Sequence, residues 1–224
     1  LKWGIVPAGE ATLELLPLET LNNQSVYHFV MMVRTNAFLD LFYYYRSRID
    51  AYATVDMAHS VRYREQTRTR FKARDVVVEF DWLANQAHYS SVETVSQSPH
   101  KTNKSNRVTQ LLPGTFDPLS VYFYTRLLNL EVGDRIERPI TDGLKCVVAQ
   151  AEVLQKESLT ILGQSRSTFL IQPDFKGVKP VFEKLVGATI RVWISADADR
   201  IPVKLSSQIA LGSFTGELMS IEGF

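Results

Sequence analysis

Three kinds of side-chain arrangement carry chemistry: a nucleophile held by a base, a cluster of metal ligands, and a patch of one charge. Only the third stands out in this chain. From Val61 to Arg74 every second residue is polar and nearly all are cationic: Arg62, Arg64, Gln66, Arg68, Arg70, Lys72 and Arg74. A strand alternates its side chains between two faces, so one long strand would line Arg62, Arg64, Arg68, Arg70, Lys72 and Arg74 along a single face. A helix would scatter them. Such a face meets water, anions or lipid headgroups, or cross-strand carboxylates such as Glu79 and Asp81. Catalytic patterns are missing. His28, His59, His88 and His100 form no HxH or HxxxH pair, and no metal site is expected. Neither a phosphate-binding loop nor a serine elbow is present; Gly163-Gln164-Ser165-Arg166-Ser167 only echoes the latter inside a strand-like run. Cys146 alternates with Leu144 and Val148, which predicts an inert, buried thiol. Asp117 precedes Pro118, so it reads as a helix cap rather than a catalytic acid. Asp50, Asp56 and His59 have no spacing that links them to it. The chain is therefore expected to be non-enzymatic and to use no cofactor.

The composition bounds what such a patch can serve. Of 224 residues, 45% are hydrophobic, enough for a substantial core, and 25 basic against 24 acidic residues give a net charge of +1. A nucleic-acid binder needs a large cationic excess, so none is expected. With Cys146 alone, no internal disulfide can form. No apolar run reaches the roughly 18–20 residues that span a bilayer as a helix. The start at Leu1 rather than Met is what a removed leader or a trimmed end would leave.

The elements that would position the cations are strands. Alternating or β-branched and aromatic runs recur at 27–35, 41–52, 76–80, 87–95, 145–154, 159–171, 188–195, 202–211 and 214–221, separated by short polar or glycine-bearing breaks. The cluster Phe38, Phe42, Tyr43, Tyr44, Tyr45 and Tyr52 puts aromatic residues on both faces of one of them. Regularly spaced helices are absent, which favours antiparallel meanders over a parallel α/β sheet. One segment differs: Asp117 and Pro118 open a helix, Leu119, Phe123, Leu127 and Leu130 continue at helical spacing, and Gly133 stops it. This predicts one amphipathic helix over about 118–129. The stretch 96–107 lacks apolar anchors and predicts a mobile loop. The fold expectation is mainly all-β: one domain over 1–224, a single highly curved antiparallel sheet of about ten strands wrapped around the helix.

The segment Gly114-Thr115-Phe116-Asp117-Pro118-Leu119-Ser120, continued to Arg126, resembles the signature of an exported bacterial family, the domain of unknown function 3108. Trp3-Gly4-Ile5 with Ala8-Gly9-Glu10-Ala11, Tyr45-Arg46-Ser47-Arg48, Leu130-Glu131-Val132-Gly133, and Trp193-Ile194-Ser195 followed by Asp199 and Ile201-Pro202-Val203 match it in the same order. The resemblance implies export to the periplasm or outer membrane and no established activity. By fold it points to outer-membrane lipoprotein carriers, open half-barrels that enclose an apolar cavity. Two functions follow as expectations. In the first, Trp3, Ile5, Phe29, Met31, Phe123, Leu127 and Trp193 line the concave side and hold a lipid or a lipoprotein acyl chain. In the second, the six cations dock an anionic envelope component and the protein is an interaction module.

Overall fold

The computed structural model describes residues 1–96, 101–174, 189–209 and 212–223. Along the chain run β1 (Lys2–Trp3), β2 (Val6–Pro7), β3 (Gly9–Leu21), β4 (Gln24–Thr35), the short helix α1 (Ala37–Asp40), β5 (Tyr45–Thr54), β6 (Ser60–Thr69), β7 (Lys72–Asp81), β8 (Gln86–Val95) and β9 (Lys101–Gln110). Helix α2 (Ser120–Thr125) follows, then β10 (Arg135–Thr141), β11 (Cys146–Ile161), β12 (Gln164–Asp174), β13 (Thr189–Ser195), β14 (Pro202–Ile209) and β15 (Gly212–Glu217). No helix among the described residues is long and apolar enough to cross a membrane.

The expected β-rich, antiparallel architecture is present, but among the described residues the single sheet of about ten strands is not. Two sheets replace it, a seven-stranded meander in the order β3-β4-β5-β6-β7-β8-β9 and an eight-stranded sheet in the order β10-β11-β12-β13-β14-β15-β1-β2. The chain divides into two compact units, one of Leu1–Pro7, Tyr124–Glu137 and Ala149–Phe224, the other of Ala8–Phe123 and Arg138–Val148. Alternation reveals strands but not which strands pair, so it could not count sheets.

The second unit holds the meander. Its tight turns show why the chain folds back where it does: Asn22 and Asn23 both take positive φ, the conformation a two-residue hairpin needs, and Leu21 pairs Gln24 across them. One face of the sheet is buried, through Phe29, Met31, Ile49, Ala51, Tyr63, Val76, Val78 and Tyr89. Gly143, at φ +85°, packs so close that a Cβ would meet Val78 Cγ2 at 2.7 Å and Tyr89 Cδ2 at 3.0 Å. In the first unit a smaller core gathers Ile161, Leu170, Trp193 and Val203, with Leu154, Leu159 and Leu218 against it.

Two further expectations change. The helix over 118–129 shortens to Ser120–Thr125, and Leu127 and Leu128 continue as tight turns, their N–H groups bonding the carbonyls three residues back. The loop over 96–107 is largely the edge strand β9; residues 97–100 of it, including His100, lie outside the described residues, as do Ala188 and Leu211 at the ends of two expected strands. All ten residues of β9 pair with β8, from Lys101 opposite Val95 to Gln110 opposite Gln86. Pairing uses backbone groups, so the strand needs no apolar periodicity, and its Lys101, Lys104 and Arg107 discourage another edge from adding.

Candidate functional site

The proposed stripe of six cations crosses a hairpin. Strand β6 ends at Thr69, Arg70 and Phe71 turn the chain, and β7 starts at Lys72. Arg68 pairs with Ala73 and Thr67 with Arg74. Directly opposed residues share a face, and their numbers here sum to an odd value. The even-numbered residues therefore change face at the turn. Arg62, Arg64 and Arg68 stand on one face, Lys72 and Arg74 on the other. Their partners differ accordingly. Arg62 Nε donates to Glu79 at 2.6 Å, and Arg68 Nη2 reaches both oxygens of Asp75 at 2.9 and 3.1 Å. Lys72 approaches Glu93 at 3.3 Å, and Arg74 donates to the Tyr89 hydroxyl at 3.0 Å. Arg64 has no carboxylate within ion-pair distance among the described residues, though it adds attraction for Asp75. Arg70 turns away from all of them and donates to the carbonyls of Asp40 and Leu41 at 2.9 and 3.0 Å.

The real concentration of arginine runs across strands. Glu10, Arg34, Arg46 and Arg68 fall in one register row, and Thr12, Met32, Arg48 and Gln66 in the next. Together they line an open groove of about 550 Å³ on the outer face of the meander. Its charge is internally balanced: Arg34 pairs with Glu10, Arg46 forks onto Asp40, Arg48 forks onto Asp50, and Arg68 takes Asp75. At Asp50 burial favours the neutral acid, but hydrogen bonds from Arg48 and His28 outweigh it and hold the carboxyl below its usual range. Asp75 behaves alike, with Arg68 and Gln66 outweighing burial.

A buried histidine beside this face escaped the sequence reading. His28 faces Glu19 through Nδ1 at 2.5 Å and Asp50 through Nε2 at 2.9 Å, and its ring stacks on Tyr52 at 4.2 Å. A general base needs a ring nitrogen open to substrate. Here both nitrogens face carboxylates, so the group is a cross-strand clamp and not a base. The signal was the alternation itself, which puts His28 opposite Tyr52 and the Glu19 bulge beside it, but only register makes that visible. The other scattered acid–base groups are likewise engaged locally. Asp56 accepts from Ala58 N at 3.1 Å, and the His59 ring lies 4.2 Å from Trp82. Among the described residues no three His, Cys, Asp or Glu side chains are grouped to hold a metal.

On the buried side, Asp117 is a cap, as its position before Pro118 implied. It has no exposure, and its Oδ1 accepts from Leu119 N and Ser120 N at 2.8 Å each. Ser60 Oγ donates to Oδ2 at 2.6 Å while accepting from Asp117 N at 2.8 Å. Burial raises the carboxyl above its usual range against these donors. Cys146 is half-buried rather than buried, with Sγ 3.4 Å from Thr115 Oγ1.

The seven apolar candidates fall in both units, Phe29, Met31 and Phe123 in the one that holds the meander and Trp3, Ile5, Leu127 and Trp193 in the other. Phe29 and Phe123 stack at 3.8 Å between ring centroids, and Met31 is buried in the same unit. Trp193 belongs to the core of the other unit, where its indole N–H donates to Glu157 at 2.6 Å. Trp3, Ile5 and Leu127 are exposed, Ile5 almost fully at 95%.

One end of the meander draws three connections together. Arg70, in the β6–β7 turn, bonds the β4–β5 connection at Asp40 and Leu41, and Ser96 N, after β8, bonds Phe71 O at 2.8 Å. Lys72, Val95 and Lys101 lie in one register row there. Neither Arg70 nor Lys101 has a carboxylate within ion-pair distance among the described residues.

A family profile, "Protein of unknown function (DUF3108)", matches residues 1–219. The chain belongs to this family. No curated protein matches it. A DUF3108 member can be set beside one solved structure, the beta-barrel-like protein of domain of unknown function DUF1849 from Brucella abortus. The two are 11% identical over 94% of this chain and 86% of that one, with a TM-score of 0.45. The motif Gly114–Arg126 that carries the family resemblance is structural in this DUF3108 chain: Thr115, Phe116 and Asp117 are all fully buried and bonded to Leu112, Pro139 and Ser60.

Proposed function

We propose that this protein is a non-enzymatic, exported envelope protein that works as an interaction module, docking an anionic envelope component through the cationic hairpin end of its seven-stranded sheet. One observation carries the reading: Arg70 and Lys101 stand at that end without carboxylate partners among the described residues, with Lys72 in the same register row as Lys101. The groove arginines are a weaker basis, since each is already matched by an acid and an exposed matched pair attracts little. The envelope location is taken from the exported family that the Gly114–Arg126 motif resembles.

Reversing Arg70, Lys72 and Lys101 to Glu tests it. Binding to dextran sulfate or to anionic vesicles should be lost, and wild-type binding should weaken as salt rises through the physiological range. Unchanged binding would remove the reading. The carrier alternative asks Phe29 and Phe123 to line a trough, whereas they pack on each other. Native mass spectrometry of protein purified from its own envelope tests it directly, by the presence or absence of a retained lipid.

A further inference from the structure

The same end of the meander displays large apolar side chains that the described residues of its own unit leave about half exposed or more. Phe38 is 58% exposed, Leu41 65%, Phe42 74% and Phe71 49%. Scattered apolar residues on a surface are ordinary, but four on two adjoining loops form a patch. The two loops adjoin because Arg70, next to Phe71, bonds the carbonyls of Asp40 and Leu41.

These side chains are held out rather than left loose. Asn36 Oδ1 accepts from Leu39 N at 2.9 Å and caps the single turn of α1. Asp40 closes that turn onto the sheet: Thr35 Oγ1 donates to it at 2.5 Å and Arg46 forks onto it at 2.6 and 3.0 Å. Arg46 also lies over the Tyr44 ring at 4.4 Å. Phe38 and Phe42 meet edge to face at 5.8 Å, and Tyr43 stacks on Tyr45 at 6.2 Å. A half-buried network thus fixes the backbone while the apolar side chains stay exposed.

We propose that this end inserts into an anionic lipid surface: Phe38, Leu41, Phe42 and Phe71 enter the boundary between headgroups and acyl chains, and Arg70, Lys72 and Lys101 meet the headgroups. The inference rests on the docking reading above and names its partner. Charge complementarity selects the occupant. Apolar tips beside cations match the layered polarity of a bilayer interface, apolar below and anionic above. A flat protein partner would instead be met by a broad face, which protruding turns do not offer. Phenylalanine and leucine on a fixed turn lose little entropy on insertion.

Cosedimentation of the full protein with vesicles tests it, with phosphatidylcholine alone compared with phosphatidylcholine and phosphatidylglycerol in equal parts. Dextran sulfate serves as a polyanion without a bilayer. The wild type should pellet with the anionic vesicles and not the neutral ones. The exposed triple variant Phe38→Ser/Phe42→Ser/Phe71→Ser should keep its strand signal and melting temperature. It should bind vesicles at least about tenfold more weakly, which corresponds to about 1.4 kcal/mol, yet still bind dextran sulfate. A Phe42→Trp protein should be quenched by brominated acyl chains. If the triple variant pellets like the wild type and Phe42→Trp is not quenched, insertion is overturned while docking stands. If the wild type binds dextran sulfate but no vesicle, the result is the same. If Arg70→Glu/Lys72→Glu/Lys101→Glu binds both probes like the wild type, the docking reading itself falls. A wild-type dimer that the triple variant dissociates, without vesicle binding, would make a second copy the occupant and overturn the proposal.

Discussion

Against the buried face of the seven-stranded sheet, Asp117 sits with no exposure and receives three donors, Ser60 Oγ, Leu119 N and Ser120 N. On the opposite face, Glu79 and Asp75 answer Arg62 and Arg68 at similar distances, with side chains between 34% and 43% exposed. The contacts look alike and their consequences differ. In water, breaking an exposed pair lets solvent replace each partner. In the core no water takes the place of a lost partner, so an orphaned Ser60 or helix N–H bears the full desolvation cost.

The comparison can be tested from its heaviest element down. Phe123→Ala removes the ring stacked on Phe29 and should cost about 3–5 kcal/mol in urea unfolding, against little for the exposed Phe42→Ala. Equal costs would mean that the face is not a core. Asp117→Ala should cost about 2 kcal/mol, from the lost cap and the unpaired Ser60, read in the same assay. If it costs no more than an exposed carboxylate, the clasp is ornamental.

Acidity separates the two faces by sign. The Asp117 carboxyl is raised above 3.8 in the folded state, so its contribution is fully present below about that pH and is lost as pH rises through the folded value. Asp50 and Asp75 are lowered below 3.8, so their contribution is present above that value and lost as pH falls through their folded values. Relative to Asp117→Asn, which does not titrate, the wild type should lose stability as pH rises from 3.8 through the raised folded value. An Asp75→Asn protein should approach the wild type only on the acid side. The same direction in both variants would refute the assignment. Smallest of all, the coupling of Arg62 and Glu79 in a double-mutant cycle should be below about 1 kcal/mol. A larger value would show that the outer face is less solvated than its exposure indicates.

Much of this fold was legible in the residue order. Alternation marked strands through most of the meander, and Asp117 before Pro118 announced the cap, because both signals are local backbone preferences. The stripe misled for an equally local reason: cations repeat on both sides of the Arg70–Phe71 turn, and a two-residue turn flips face without leaving a gap in the pattern. Strand β9 was missed because an exposed edge strand is held by its neighbour's backbone and needs no side-chain pattern. His28 between Glu19 and Asp50 was missed because those residues meet only once β3, β4 and β5 are in register.

The amino-acid sequence by itself determined that this protein is a β-rich, antiparallel chain with a capped helical turn and a local excess of arginine. Only the tertiary structure decided how many sheets the strands make, which cations are matched by acids, and which aromatics are left at the hairpin end. Period and capping depend on neighbours along the chain, so residue order can carry them. Charge matching and exposure depend on register between strands far apart in sequence, and register exists only after the sheet has formed.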